Sequence, residues 1–291
     1  MHSPFRNTVA AIQMNSGMNV SDNLQQASVL LEQAAKQGAA LAVLPEMFPL
    51  IGQGPGLKAA RIRIQEQEGN GPIQDFISAL AKRLKIWIIA GTIPIASEDP
   101  TRSYAACLVF NEDGKQVARY DKLHLFDAAL DTGEVYRESD STFPGNKIVL
   151  VHTPVGKIGL GVCYDLRFPE LFRQLQHMGA EIFAVPAAFT VTTGKLHWET
   201  LTRAIAIHNF CYVIGAGQHG LHGMGRETYG NSIIISPNGE VLSQLENGIG
   251  VLTAQIDLNW LAAKRKEIPA FSHQRIFPDT DLQKVIASPP W

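Results

Sequence analysis

The chain has 291 residues, of which 45% are hydrophobic and 18% charged, with 25 Lys and Arg against 27 Asp and Glu. A net charge of -2 excludes the basic surface that nucleic-acid binding needs, and the apolar content excludes an intrinsically disordered polymer. No run approaches the ~18 consecutive apolar residues of a membrane span, and MHSPFRNTVAAIQM lacks the basic start and apolar core of a leader, so a cytoplasmic protein without membrane partners is expected.

The elements follow in chain order. TVAAIQM, from Thr8 to Met14, reads as a strand. Ser21 or Asp22 then offers a cap to a helix in which Leu24, Ala27, Leu30, Leu31, Ala34 and Ala35 recur at helical spacing, closed by Gly38. A buried strand from Ala40 is cut off by Pro45. PIQDFISALAKRLK reads as a helix and IWIIAGTIPI as a strand, after which SYAACLVFN and QVARYDKLHL form a hairpin around Glu112, Asp113 and Gly114. A polar loop spans residues 127–145. KIVLVHTPVGKIGLGVCYD gives two more strands about a turn at Pro154 to Gly156. PELFRQLQHMGA is a helix, EIFAVPAA a strand, and HWETLTRAIAIHN a helix. CYVIGAGQHG and NSIIISPNGEVLSQL supply the last strands, with a hairpin at Asn238 and Gly239. Strands alternating with amphipathic helices predict an α/β fold with helices covering a sheet core. A single domain over 1–275 is expected, followed by an arm over 276–291 that carries Pro278, Pro289 and Pro290.

Three cysteines, Cys107, Cys163 and Cys211, are odd in number and lack CxxC spacing, which predicts reduced thiols. The nine histidines show no HExxH pattern, and GKIGLG lacks the GxGxxG order, so neither a zinc hydrolase nor a dinucleotide site is expected. Chemistry concentrates at three strand ends instead. Glu46 follows Pro45, Lys122 follows a strand in RYDKLHLF, and Cys163 closes the apolar run KIGLGVC. A thiol with an ordinary pKa near ~8.5 needs a base to become a nucleophile. Glu46 can take that proton and return it to a leaving amine, while Lys122 and the backbone N–H of Tyr164 can hold an oxyanion. Each residue also has a plain structural reading: a core cysteine, a helix-start glutamate, a solvated lysine. Spacing alone does not bring the three strand ends together.

LPEMF, YDKLHLF and GVCYDLRFPEL, in that order, resemble the Glu, Lys and Cys motifs of the nitrilase superfamily of carbon–nitrogen hydrolases, and the resemblance runs from the first strand to IDLNWL near Ile256. It implies an α-β-β-α sandwich with Cys163 as nucleophile, Glu46 as general base and Lys122 on the oxyanion side. A second family glutamate falls on Glu138 in RESDSTFPG, not on Glu134. The resemblance also implies no cofactor and no metal, a homodimer or larger homo-oligomer, and an arm that crosses to the partner subunit. KLHLFD, CYDLRFPEL and YGNSIIISPNGEVL are similar to the amidase branch often called Nit, which implies a small amide substrate carrying carboxylates. Within that branch, VPAAF, AGQHG and the segment from His219 to Tyr229 resemble enzymes acting on deaminated glutathione more than ω-amidases acting on α-ketoglutaramate. Arg167 is a candidate grip for a substrate carboxylate, with Asp165 or Glu170 as alternative internal partners. His197 is a candidate for the pocket mouth. Arg203 is a further candidate, or pairs with Glu199 at i, i+4 spacing. A non-catalytic scaffold of the same fold is the rival from another class.

Overall fold

The computed structural model describes residues 7–52, 54, 56–131, 133–276 and 281–288. The first half runs β1 (Thr8–Gln13), α1 (Val20–Lys36), β2 (Leu41–Val43), α2 (Gly56–Ile64), α3 (Pro72–Leu84), β3 (Trp87–Ala96), β4 (Ser103–Phe110) and β5 (Gln116–Asp121). Short strands β6 (Asp127–Ala129), β7 (Val135–Arg137) and β8 (Thr142–Phe143) lie within the expected polar loop. The second half runs β9 (Lys147–Thr153), β10 (Gly156–Leu160), α4 (Pro169–His177), β11 (Ile182–Ala187), α5 (Val191–Asn209) and β12 (Tyr212–Gly217). It closes with β13 (His219–Leu221), β14 (Glu227–Tyr229), β15 (Ser232–Ile235), β16 (Val241–Leu245), β17 (Gly250–Gln255), α6 (Leu258–Glu267) and β18 (Gln283–Ala287).

The strands form two main sheets. One has the order β17-β1-β2-β3-β4-β5 with β8 paired to β4, and the other β16-β15-β12-β11-β10-β9-β18. The period-2 alternation of a strand explains how they stack. Val9 and Ala11 of β1, Leu41 and Val43 of β2, and Cys107 and Val109 of β4 join the core shared with the second sheet. Their neighbours Ala10, Ile12, Ala42, Ala106 and Leu108 pack instead on Leu30 and Leu31 of α1 and on Ile73 and Ile77 of α3. Strands β10 to β12 are apolar on both faces because α4, through Phe172 and Leu175, and α5, through Trp198 and Ile205, cover their outer side. The result is a four-layer α-β-β-α sandwich.

Several boundaries differ from those read in the sequence. The α1 cap is Asn19, whose side chain accepts from the Ser21 and Asp22 N–H groups at 3.0 and 3.5 Å. Helix α5 starts six residues before His197, because Thr190 caps it through the Thr193 N–H. Helices α2 and α6 carry weak amphipathic patterns and are absent from the sequence reading. Part of the C-terminal arm forms β18, parallel to β9 of the same chain, in register from Gln283 opposite Lys147 to Ala287 opposite Val151.

Candidate functional site

Strands β2, β5 and β10 all deliver their C-terminal ends to one edge of the sandwich, which is where open α/β sheets place their sites. Glu46 leaves β2 through Leu44 and Pro45, Lys122 directly follows β5, and Cys163 leaves β10 through Gly161 and Val162. Close approach of Pro45 to β3 is possible because position 91 is glycine: a Cβ there would lie 1.8 Å from the Pro45 carbonyl oxygen.

Two of these exits carry a non-glycine residue in the left-handed region, Met47 at φ 56° and Cys163 at φ 49°. Such conformations cost on the order of 1–3 kcal/mol and persist only where the surroundings hold them. For Met47 the hold is its N–H donating to Thr92 Oγ1 at 2.8 Å. For Cys163 it is the fully buried Asp165 two residues on, whose Oδ2 accepts from the Val162 N–H at 2.8 Å and from the Tyr120 hydroxyl at 2.6 Å. The other oxygen, Oδ1, accepts from the His124 N–H at 3.1 Å and from His124 Nδ1–H at 2.7 Å. Asp165 therefore clamps the turn bearing Cys163 to the segment flanking Lys122. The sequence reading gave Asp165 only as an alternative partner for Arg167; its place two residues after a strand-end cysteine was the available signal.

Glu46, Lys122 and Glu138 form one ionic cluster. Lys122 Nζ donates to Glu46 Oε1 at 2.7 Å and to Glu138 Oε1 and Oε2 at 3.0 and 2.8 Å. The side chains of Glu46 and Lys122 are each 2% exposed and that of Glu138 is 8% exposed. Glu138 opens a short 3-10 turn after β7, and its Oε2 also accepts from the Phe126 N–H at 2.7 Å. Gln218 holds the backbone that carries Glu46, donating to the Glu46 main-chain carbonyl at 3.2 Å and to Ser16 Oγ at 2.9 Å.

Burial alone would lower the Lys122 ammonium, but the Glu138 and Glu46 carboxylates outweigh it and hold the lysine above its ordinary range. Burial pushes Glu138 up, and the Lys122 charge, the Phe126 N–H and Arg61 more than reverse that, leaving its carboxyl below the usual carboxylate range. Burial and the Glu46 carboxylate push the Cys163 thiol well above its ordinary range, against the opposing pull of Lys122 and the Ala188 N–H. At neutral pH the sulfur carries its proton beside a carboxylate, so it can become nucleophilic by handing that proton over as it attacks. Among the described residues the Tyr164 N–H meets no acceptor, which leaves it able to donate to an oxyanion next to the sulfur.

Cys163 sits where two cavities meet. The larger, of about 330 Å³, is lined by Glu46, Lys122, Glu138 and Cys163 together with Arg61 and Arg226. The smaller, of about 20 Å³, is lined by Cys163, Tyr164, Arg167, Thr190 and Thr193 among others. Arg167 therefore reaches the site, with its guanidinium donating to His197 Nδ1 at 3.2 Å and lying 5.9 Å from the Tyr164 ring centroid. Neither Asp165 nor Glu170 takes it, because Asp165 is occupied by Tyr120, His124 and Val162. His197 stands behind Arg167 and lines neither cavity. Arg203 is not brought to the site: it bonds Glu199 at 3.2 Å and the Gly239 carbonyl at 2.9 Å, so the helical i, i+4 pairing is the one realised.

A thiol, a carboxylate and an ammonium at converging strand ends of an α-β-β-α sandwich are the outfit of a hydrolase acting on carbonyl carbon. The carbon–nitrogen hydrolase family pattern matches residues 8–266, and the chain belongs to that family. It is an amide-hydrolysing enzyme. A Yersinia enterocolitica protein named deaminated glutathione amidase is 39% identical over 272 residues, covering 92% of each chain. The Mus musculus protein of that name is 39% identical over 271 residues, covering 92% of this chain and 83% of its own. The crystal structure of the C. elegans NitFhit protein superposes with a TM-score of 0.85 at 34% identity over 92% of this chain, which spans 65% of that longer one.

Proposed function

We propose that this enzyme hydrolyses the amide bond of deaminated glutathione through a thioester on Cys163. The observation that carries the reading is the buried cluster in which Glu46, Lys122 and Glu138 meet beside the Cys163 sulfur. Glu46 takes the thiol proton as the sulfur attacks the amide carbonyl carbon, and the oxyanion is held by Lys122 Nζ and the Tyr164 N–H. Glu46 then gives its proton to the amide nitrogen, the C–N bond breaks and the amine leaves. Water, deprotonated by Glu46, attacks the thioester carbon; the C–S bond breaks, the acid is released and the thiol regains its proton. Glu138 bonds Lys122 alongside Glu46 and keeps the ammonium charged throughout.

Substrate choice rests on relatives that carry the deaminated glutathione amidase name and on the cations around Cys163. Arg167 receives the keto-acid carboxylate in the smaller recess, whose 20 Å³ suits one small polar head group. The enzyme is further proposed to act in the cytoplasm as a homodimer. No helix among the described residues is long and apolar enough to cross a membrane. The deciding experiment compares purified enzyme on deaminated glutathione and on α-ketoglutaramate, which shares the acyl half but releases ammonia. Higher kcat/KM on deaminated glutathione is expected. A higher value on α-ketoglutaramate would replace this reading with that of an ω-amidase.

A further inference from the structure

Arg61 has no part in the chemistry above, yet its surroundings are unusual. It lies on α2, is 5% exposed and lines the larger cavity. No hydrogen bond or ion pair joins its guanidinium to any group among the described residues. The charges nearest in influence are Glu138 and Glu46, which favour its charged form, and Arg226, which opposes it. Glu46 and Glu138 are already bonded to Lys122, so among the described residues Arg61 has no protein partner, and its N–H donors are left to the cavity it lines. A largely buried guanidinium that faces a cavity without a protein partner is placed to bind an anion there, because its fork of donors matches a carboxylate.

The cavity wall carries more positive charge than the cluster needs. Half-buried Arg226 and exposed Lys58 and Arg137 line it with Arg61, against Asp140 as the one acid beyond Glu46 and Glu138. Its volume is a second sign. An ammonia molecule takes about the space of one water, for which roughly 10–15 Å³ on this measure suffices, whereas the cavity offers about 330 Å³. A leaving group far larger than ammonia, and anionic, fits both facts.

We propose that the larger cavity is the leaving-group subsite and that Arg61 receives the terminal carboxylate of the departing peptide, with Arg226 beside it. The inference rests on the proposed peptide-amide substrate and adds the element that separates such a substrate from a primary amide. In deaminated glutathione that carboxylate belongs to the glycine end, while the keto-acid carboxylate at the other end meets Arg167. The two arginines thus measure the substrate from opposite sides of the sulfur, and Arg61 is a specificity residue that touches no reacting atom.

The test uses purified full-length enzyme, deaminated glutathione and the same compound with its glycine carboxylate converted to the carboxamide, with α-ketoglutaramate as a reference. Wild type is expected to lose roughly tenfold to hundredfold in kcat/KM on the carboxamide, most of it in KM, as befits a charge-assisted hydrogen bond. Arg61→Gln should erase that preference, and Arg61→Lys should keep part of it. If wild type hydrolyses both compounds equally, or Arg61→Gln discriminates as wild type does, the subsite is wrong; the first result needs no variant to fold. If wild type hydrolyses α-ketoglutaramate but not deaminated glutathione, the proposed function fails and the inference falls with it.

Discussion

At the scale of single residues, the site is an ionic cluster that the core makes affordable. Each buried Leu, Ile, Val or Phe contributes about 1.5–3 kcal/mol, and dozens are buried in the two cores of the chain, so the desolvation of two carboxylates and an ammonium is tolerated. Partial removal is another matter. Lys122→Met leaves Glu46 and Glu138 facing each other out of water, and a loss of about 3–5 kcal/mol in urea unfolding is expected, together with loss of turnover. A variant that unfolds like wild type would show that Lys122 does not hold the two carboxylates. The same residues show what a sequence can and cannot disclose. Glu46, Lys122, Cys163 and Glu138 stand in recognisable motifs, so the cluster was legible as a list of members. Asp165 and Arg61 were not, because their meaning lies in groups distant along the chain: Tyr120 and His124 for Asp165, the far wall of the cavity for Arg61.

At the scale of elements, the periodic helices and strands were legible because burial on one face writes a pattern into the sequence. Elements lacking that pattern were not: α2 is a short helix under a cavity wall, and α5 begins on VTTGK, whose first turn is set by the Thr190 cap. The segment from His219 to Tyr229, singled out by its resemblance, is a hairpin of β13 and β14 anchored by His222. His222 donates from Nδ1 to the Ser16 carbonyl at 2.7 Å and accepts at Nε2 from Thr228 Oγ1 at 2.6 Å. Burial brings its pKa down from 6.5 to about 4. A folded-state pKa below the unfolded one means stability that is complete above pH 6.5 and is lost as pH falls toward 4. Between pH 7.5 and 5 that loss amounts to about 2 kcal/mol at most. Glu138, held below its usual range, adds a loss of the same sign only at lower pH, beneath the ordinary carboxylate value. Urea midpoints at pH 7.5 and 5 are expected to differ less in His222→Asn, whose amide can still reach Ser16, than in wild type. An equal difference in both proteins would remove His222 as the acid-sensitive anchor.

At the scale of the whole molecule, the sandwich brings two strand ends of one sheet and one of the other to a common edge, and this convergence is what spacing along the chain could not express. The four-layer architecture followed from the motif resemblance; the alternation of apolar residues between two cores is its physical basis. Strand β18 adds to the edge of the second sheet while remaining largely exposed, and α5 exposes Leu196 and Ile207 to solvent. Light scattering behind size exclusion is expected to give twice the 31.8 kDa chain mass, as the proposed homodimer requires; a mass of 31.8 kDa would rule the dimer out. The thioester on Cys163 is tested most directly by rapid-quench intact-protein mass spectrometry during turnover of deaminated glutathione, run on wild type and on Cys163→Ala. Wild type should gain the mass of one α-ketoglutaryl group less the displaced thiol hydrogen, and Cys163→Ala should neither gain it nor release cysteinylglycine. Product release by Cys163→Ala at the wild-type rate would contradict a thioester at Cys163.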